Sequence, residues 1–290
     1  MSVEEQLLQW VDSAPSLRDP YLLVALDGFV DAGSVGTTAG MFLRHRWRTE
    51  LVGTFDGDAF IDYRARRPRA VIDNGVLNRV EMPVLEMFAG PVEGASHDVL
   101  LLLGPEPDMR WGAFFRTVAQ VCQQADVAGV VTLGAYPAAM PHTRPVRIVR
   151  ATNAVGTQLV PDGEDVPGYT GPVGAATALQ AHLDGIGVPS VGLWAEVPHY
   201  IAGSPNPAGA LAMVRVLADA FGVSVDTTEL AAAATLHRQQ VDEAVGEHAE
   251  AAEMVAAFER HLDLGERQEE IPSGEDIADE IERFLRAQGE

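Results

Sequence analysis

The sequence predicts an α/β fold in which a mostly parallel sheet is flanked by helices, with a β-hairpin insertion and a C-terminal helical appendage. Three observations carry this expectation. Short continuous apolar runs, such as LLVAL at residues 22–26 and VLLLL at 99–103, alternate with stretches of helical spacing, as expected where helices cover both faces of parallel strands. Asn74-Gly75 stands between two apolar runs, a strong local signal for a hairpin with a type I′ turn. Beyond Asp226, small or apolar residues at Leu230, Ala234, Val241, Val245, Ala252, Val255 and Leu262 recur in steps of three, four and seven.

In order along the chain, residues 1–19 read as a short amphipathic segment ending in the turn PSLRDP. YLLVALDG at 21–28 reads as a buried strand, 34–45 as a helix and 49–55 as a second strand. The hairpin is expected at about residues 69–88. Residues 98–103 then form a strand, 111–125 a helix, AGVVTLGA at 128–135 another buried strand, and 146–152 a short β-like piece. PDGEDVPGYTGP is a loop, 173–183 a helix, VPSVGLWAEVPHY a late strand, GSPNPAG a breaker and 208–221 a helix. The pattern after Asp226 is a helical pair or a long helix bent near Gly246. A polar link, LGERQEEIPSG, leads to a last helix, where Ser273 caps and Ile277, Ile281, Phe284 and Leu285 share one face. The chain thus divides into an α/β core, 1–225, and an acidic helical appendage or lid, 226–290.

Charge is lopsided. With 42 acidic and 20 basic side chains among 290 residues, the formal net charge is −22. Neutralising phosphates needs a basic face, so nucleic acid and anionic membranes are not expected partners. Residues 226–290 carry 18 acidic and 5 basic side chains, against 24 and 15 in residues 1–225, so the tail holds more than half of the excess. The chain has no lysine; every basic residue is an arginine. Arginine stays protonated and is not a compact ammonium, which excludes Schiff-base and P-loop chemistry and argues against ATP-grasp ligation. A single cysteine, Cys122, in a helix-like segment, fits a buried inert thiol in a reducing compartment. The N-terminal residues lack the pattern of a secretory signal, and no apolar run is long enough to span a bilayer, so a cytoplasmic protein is expected.

Four places offer chemistry. DGFVDAGSVG follows the first strand with Asp27 and Asp31 at its carboxyl end, where ligands bind in open α/β sheets. The glycine spacing is not that of a dinucleotide fingerprint, and the carboxylates would repel a phosphate. AGSVG imitates a nucleophile elbow, but Ser34 lies well past the strand end, so a helix-capping role is expected for it. The aspartates either line a pocket or bond the amides of their own turn. In EVPHYIAGSPNP, Glu196, His199 and Tyr200 gather at another strand end, with Glu196 and His199 the candidate acid and base if catalysis occurs. Tyr136, with His142 and Arg144 nearby, forms a third wall. The run Arg64–Arg69, the one basic cluster, reads as a solvated or subunit-facing patch. No histidine pair has metal-ligand spacing, and no metal or cofactor is expected.

DGFVDAG, LGAYPAAMPHTRPV, GYTGPVG, EVPHYIAGSPNP and IPSGEDIADEIERFLR, in this order from about Tyr21 to Arg286, make the chain resemble the proteasome assembly chaperone 2 family, in its actinobacterial branch. The resemblance implies a core like that of nucleoside phosphorylases and related hydrolases. It also implies proteasome subunits as partners, and the analogy with phosphorylase-like folds points to a homo-oligomer, a trimer among the options. Some relatives grip the core particle with a C-terminal hydrophobic-tyrosine-any tail; this chain ends RAQGE, a departure from that pattern. Two readings stay open: a non-catalytic protein-interaction module, and a small-ligand binder or hydrolase/phosphorylase-like enzyme whose pocket is walled by Asp27, Asp31, Tyr136, Glu196, His199 and Tyr200.

Overall fold

The computed structural model describes residues 7–264 except 154, 157, 161, 162 and 167. The chain runs through β1 (Leu8–Trp10), β2 (Tyr21–Asp27), α1 (Val35–Arg46), β3 (Glu50–Phe55), α2 (Gly57–Phe60), β4 (Arg69–Asp73), β5 (Val76–Glu81), β6 (Glu86–Gly90) and β7 (Val99–Pro105). It continues through α3 (Trp111–Gln124), β8 (Gly129–Ala138), β9 (Ile148–Thr152), β10 (Glu164–Asp165), α4 (Ala175–Asp184) and β11 (Ser190–Pro198). Three helices follow: α5 (Pro207–Phe221), α6 (Thr228–Gly246) and α7 (Ala249–Asp263).

Nine strands form one sheet in the order β1-β3-β6-β7-β2-β8-β11-β9-β10, parallel across β7-β2-β8-β11 at its centre and antiparallel where β6 and β9 flank that centre. The central strands are the continuous apolar runs of the sequence, because both faces are covered. Leu22, Val24 and Leu26 of β2 pack with Phe114 and Val118 of α3 and Leu179 of α4. Leu23 and Ala25 point the other way, into Val35, Ala39 and Leu43 of α1 and Met213, Val214 and Leu217 of α5. Cys122 is buried in the α3 layer, and burial pushes its thiol up to about 12, so it stays protonated and inert.

Three local expectations are corrected. The N-terminal amphipathic segment contains an edge strand, β1, paired antiparallel with β3; three residues are too short to show a period. The hairpin closes at Glu81 rather than near residue 88, since β6 leaves it to pair with β3 and β7. Within the loop after β9, Glu164 and Asp165 form a two-residue strand beside it. The turn itself is as the sequence implies, with Asn74 and Gly75 both at positive φ, 49° and 78°. The helical pair beyond Asp226 breaks between Gly246 and Ala249, and α6 lies on α5 with Leu230 joining the core. The expected last helix lies outside the described residues. Among the described residues no helix is long and apolar enough to cross a membrane.

Helix α1 approaches β8 closely: a Cβ on Gly36 would stand 2.7 Å from the carbonyl oxygen of Leu133. Since backbone on backbone cannot yield as a side-chain tip can, Gly36→Ala should destabilise the fold by about 1–3 kcal/mol in urea unfolding, although alanine is the better helix former.

Candidate functional site

At the carboxyl end of the parallel strands, each turn leaves backbone amides that need acceptors. Two buried carboxylates supply them. Asp31 Oδ1 accepts from the amides of Gly36 (2.7 Å) and Thr37 (3.4 Å), and its Oδ2 accepts from the Thr37 hydroxyl at 2.5 Å. It therefore caps α1, a role the sequence assigned to Ser34; Ser34 instead adopts a left-handed φ of 50° and makes no side-chain cap. Glu106, in the GPEP turn after β7, accepts from the amide of Phe29 at 2.9 Å and from that of Ala175 at 2.5 Å, so it ties the β2–α1 turn to the first turn of α4. Gly28 is glycine because a Cβ there would fall 2.3 Å from Glu106 Oε2. Glu106 was not singled out from the sequence, and its only signal is an acid between prolines at a strand end.

The six predicted pocket residues fall into separate groups. Asp27 lies at the exposed end of β2, 3.6 Å from the guanidinium of Arg66, which also bonds Asp108 at 3.2 Å. Glu196 and Tyr136 are register partners on β11 and β8, and the Tyr136 hydroxyl donates to Glu196 Oε1 at 3.0 Å. Arg147 sits 3.3 Å from the other Glu196 oxygen and 2.7 Å from Glu164. Burial, reinforced by the Glu196 charge, raises the Tyr136 hydroxyl far above its usual range, so it remains a donor. His199 and Tyr200 belong to the other side: the His199 ring packs edge-on against Tyr200 and against Phe258 of α7. Among the described residues no hydrogen bond or ion pair joins Glu196 to His199, and no group of His, Cys, Asp and Glu could hold a metal.

His142 proves to be the hub of that second group. Its ring lies between the Tyr200 hydroxyl, 2.7 Å from Nδ1, and the Asp242 carboxylate of α6, 2.9 Å from Nε2, while its backbone N–H donates to the same hydroxyl at 2.8 Å. Beside Asp242, Nε2 donates, which in the neutral ring leaves Nδ1 to accept from Tyr200. Burial pushes the Tyr200 hydroxyl up to about 12, keeping it protonated. Neighbouring residues extend the grip: Thr143 donates to Glu259 of α7 at 2.5 Å, Arg144 bonds Asp263 at 2.8 and 2.9 Å, and Arg238 of α6 donates to the Thr143 carbonyl at 3.0 Å. The loop after β8 thus clamps both acidic helices.

A cavity of about 630 Å³ lies between this loop, α5 and α6, and none of the six residues lines it. Elsewhere the surface is dominated by the hairpin β4–β5. Cross-strand pairs share a face, which sets Ala70 and Ile72 beside Val80 and Leu77. Ile72, Leu77 and Val80 are 63%, 58% and 51% exposed. Arg69 pairs with Glu81 across the strands and Arg79 pairs with it along β5, together holding its carboxyl below the usual range, Arg79 foremost.

The molecule is thus a doubly covered α/β sheet whose strand-end carboxylates are each engaged and which projects an apolar hairpin. The chain belongs to the PAC2 family, whose profile matches residues 25–245. It is similar to a solved protein of unknown function from Corynebacterium glutamicum, at 29% identity and a TM-score of 0.83, over 89% of this chain and 97% of that one. A PAC2 family protein from Streptomyces avermitilis matches at 34% identity and a TM-score of 0.74, over 82% and 100%. A proteasome-assembly chaperone homologue from Mycobacterium tuberculosis matches at 33% and 0.73, over 81% and 99%. No curated protein matches the chain. The profile ends inside α6, so α7 lies beyond it.

Three substitutions at two positions separate structural from chemical roles here. Burial raises the Asp31 carboxyl, outweighing the hydrogen bonds that lower it, so the folded protein holds this proton more tightly than the unfolded chain does. Its contribution therefore favours the fold at low pH and declines as pH rises through the folded value. Asp31→Asn, which keeps one acceptor oxygen for the helix amides, should stay within about 1 kcal/mol of wild type at neutral pH, whereas Asp31→Ala should cost about 1–2 kcal/mol by chemical denaturation. Tyr200→Phe, which strands the amide and Nδ1 of His142, should cost about 1–3 kcal/mol and speed hydrogen exchange in α6 and α7 before that in the central strands.

Proposed function

We propose that this protein is a non-catalytic protein-interaction module of the proteasome-assembly-chaperone kind, with proteasome subunits as its partners. The observation that carries the reading is the hairpin β4–β5. A two-stranded hairpin is marginally stable in water, and this one turns Ile72, Leu77 and Val80 to solvent instead of to the core. Such a patch marks a surface meant to be covered by another protein. The Arg64–Arg69 run at its base, in a chain of net charge −22, gives the same surface an electrostatic preference for an acidic partner.

Likeness to the Mycobacterium tuberculosis proteasome-assembly chaperone homologue supports the choice of partner. The engagement of Glu196 by Tyr136 and Arg147, and of Asp31 by α1, supports structural duties for these carboxylates rather than acid–base chemistry. In this reading the protein is cytoplasmic and self-associates, residues 1–225 form the body, and the acidic residues 226–290 are an appendage.

Native affinity purification of the tagged protein from its own cells tests this. Proteasome subunits should co-elute at near-stoichiometric levels. The double variant Ile72→Asp, Leu77→Asp should reduce their recovery at least about tenfold with the thermal midpoint unchanged, since it buries charge only in the complex. Elution of this chain alone from wild-type cells would sink the proteasome reading.

A further inference from the structure

The cavity between the loop after β8, α5 and α6 has a composition at odds with the rest of the molecule. In a chain with 42 acidic side chains, no Asp or Glu lines it. Its walls are aliphatic, from Met140, Val146, Ile201, Leu211, Ala234 and Val241, and its polar lining includes three arginines and two histidines, Arg144, Arg215, Arg238, His142 and His237. The carboxylates of this region stand outside it: Asp242 holds His142 and approaches Arg238 at 3.7 Å, and Asp263 holds Arg144.

Two of these polar groups are left uncommitted. Arg215 of α5 makes no hydrogen bond or ion pair with any described residue, and the His237 ring makes no hydrogen bond to one. Arg215 follows Leu211 by one helical turn, so its guanidinium stands at the mouth of a cavity whose inner wall is apolar. Burial foremost, with His142 adding to it, lowers the His237 imidazole. A volume of about 630 Å³ is in the range of small-molecule sites, which are typically apolar with a few placed polar groups.

We propose that this cavity is a binding site for a small amphipathic organic anion: a carboxylate or phosphate head held by Arg215 and His237, on an aliphatic or aromatic body lying against Leu211, Ala234 and Val241. A planar guanidinium with its donors free is suited to either head group. Because the walls come from the core helix α5, the appendage helix α6 and the clamping loop together, occupancy would fasten α6 to the body.

The probe is 8-anilinonaphthalene-1-sulfonate, an aromatic body with a single anionic group, titrated into the full chain by fluorescence and calorimetry. Saturable binding at one site per chain is expected. Octanoate and octyl phosphate should displace it and octylammonium should not; the stronger of the two competitors identifies the head group. Arg215→Gln should weaken binding at least about tenfold. Ala234→Trp, which fills the cavity, should abolish it, and Ile72→Asp on the hairpin should leave it unchanged. Arg215 is exposed and unpartnered among the described residues, so its substitution does not threaten folding; circular dichroism of each variant checks this. Absence of saturable binding, equal displacement by octylammonium, or affinity unmoved by Arg215→Gln would each overturn the proposal. None of these results bears on whether proteasome subunits co-purify.

Discussion

The fold depends on how the carboxyl end of the parallel strands is closed. Parallel strands end together, and the turns leaving β2, β7 and β8 crowd backbone amides into a space largely shielded from water. Unpaired, each amide would cost about 1–3 kcal/mol. Asp31 and Glu106 each gather at least two of them, and Glu106 does so from segments 69 or more residues apart in sequence. Removing Asp31 would release the start of α1, and removing Glu106 would release both the turn after β2 and the start of α4, so these carboxylates are structural before they can be anything else.

This closure explains why the acidic glycine-rich turn after β2 is not a phosphate cradle. A cradle presents its amides outward to an anion, whereas here the protein supplies its own anions and the amides point to them. The outermost carboxylate, Asp27, has Arg66 nearby, a member of the single basic run. Arginine is the cation throughout: the clamp on α6 and α7, the hairpin base and the Glu196 pair all set guanidinium groups against carboxylates. The acidic helices α6 and α7 are likewise held by donors from residues 142–144 and, at the start of α6, by Arg46, which is how carboxylate-rich helices lie against this chain's core.

The sheet and its helices were legible because buried parallel strands write themselves as apolar runs and amphipathic helices as periodic ones. Asn74-Gly75 was legible for a more local reason, two residues that tolerate positive φ. The site was less so. Glu196 and Tyr136 lie side by side because adjacent parallel strands bring equivalent positions together. His199 was grouped with them by proximity in sequence, but alternation and a short 3-10 turn after β11 carry it toward α7. The reach of His142 to Asp242, one hundred residues on, leaves no trace in local pattern, and neither does the choice of Asp31 over Ser34 as a cap. Long-range pairing of polar groups is set by tertiary geometry, which spacing alone does not encode.

Where a core is complete, recognition must come from what the core does not need. Strands β4 and β5 add nothing to the nine-stranded sheet, and their apolar pairs contribute nothing to either buried cluster. Glu81, Arg69 and Arg79 order one side of the hairpin without water being excluded from the other. Solvent-exposed pairs of this kind add little stability. A segment that costs conformational entropy and returns little in isolation persists as a stable arm only if something recovers that cost, and covering Ile72, Leu77 and Val80 would do so. In the proposed reading, specificity resides in this arm and the sheet is its support.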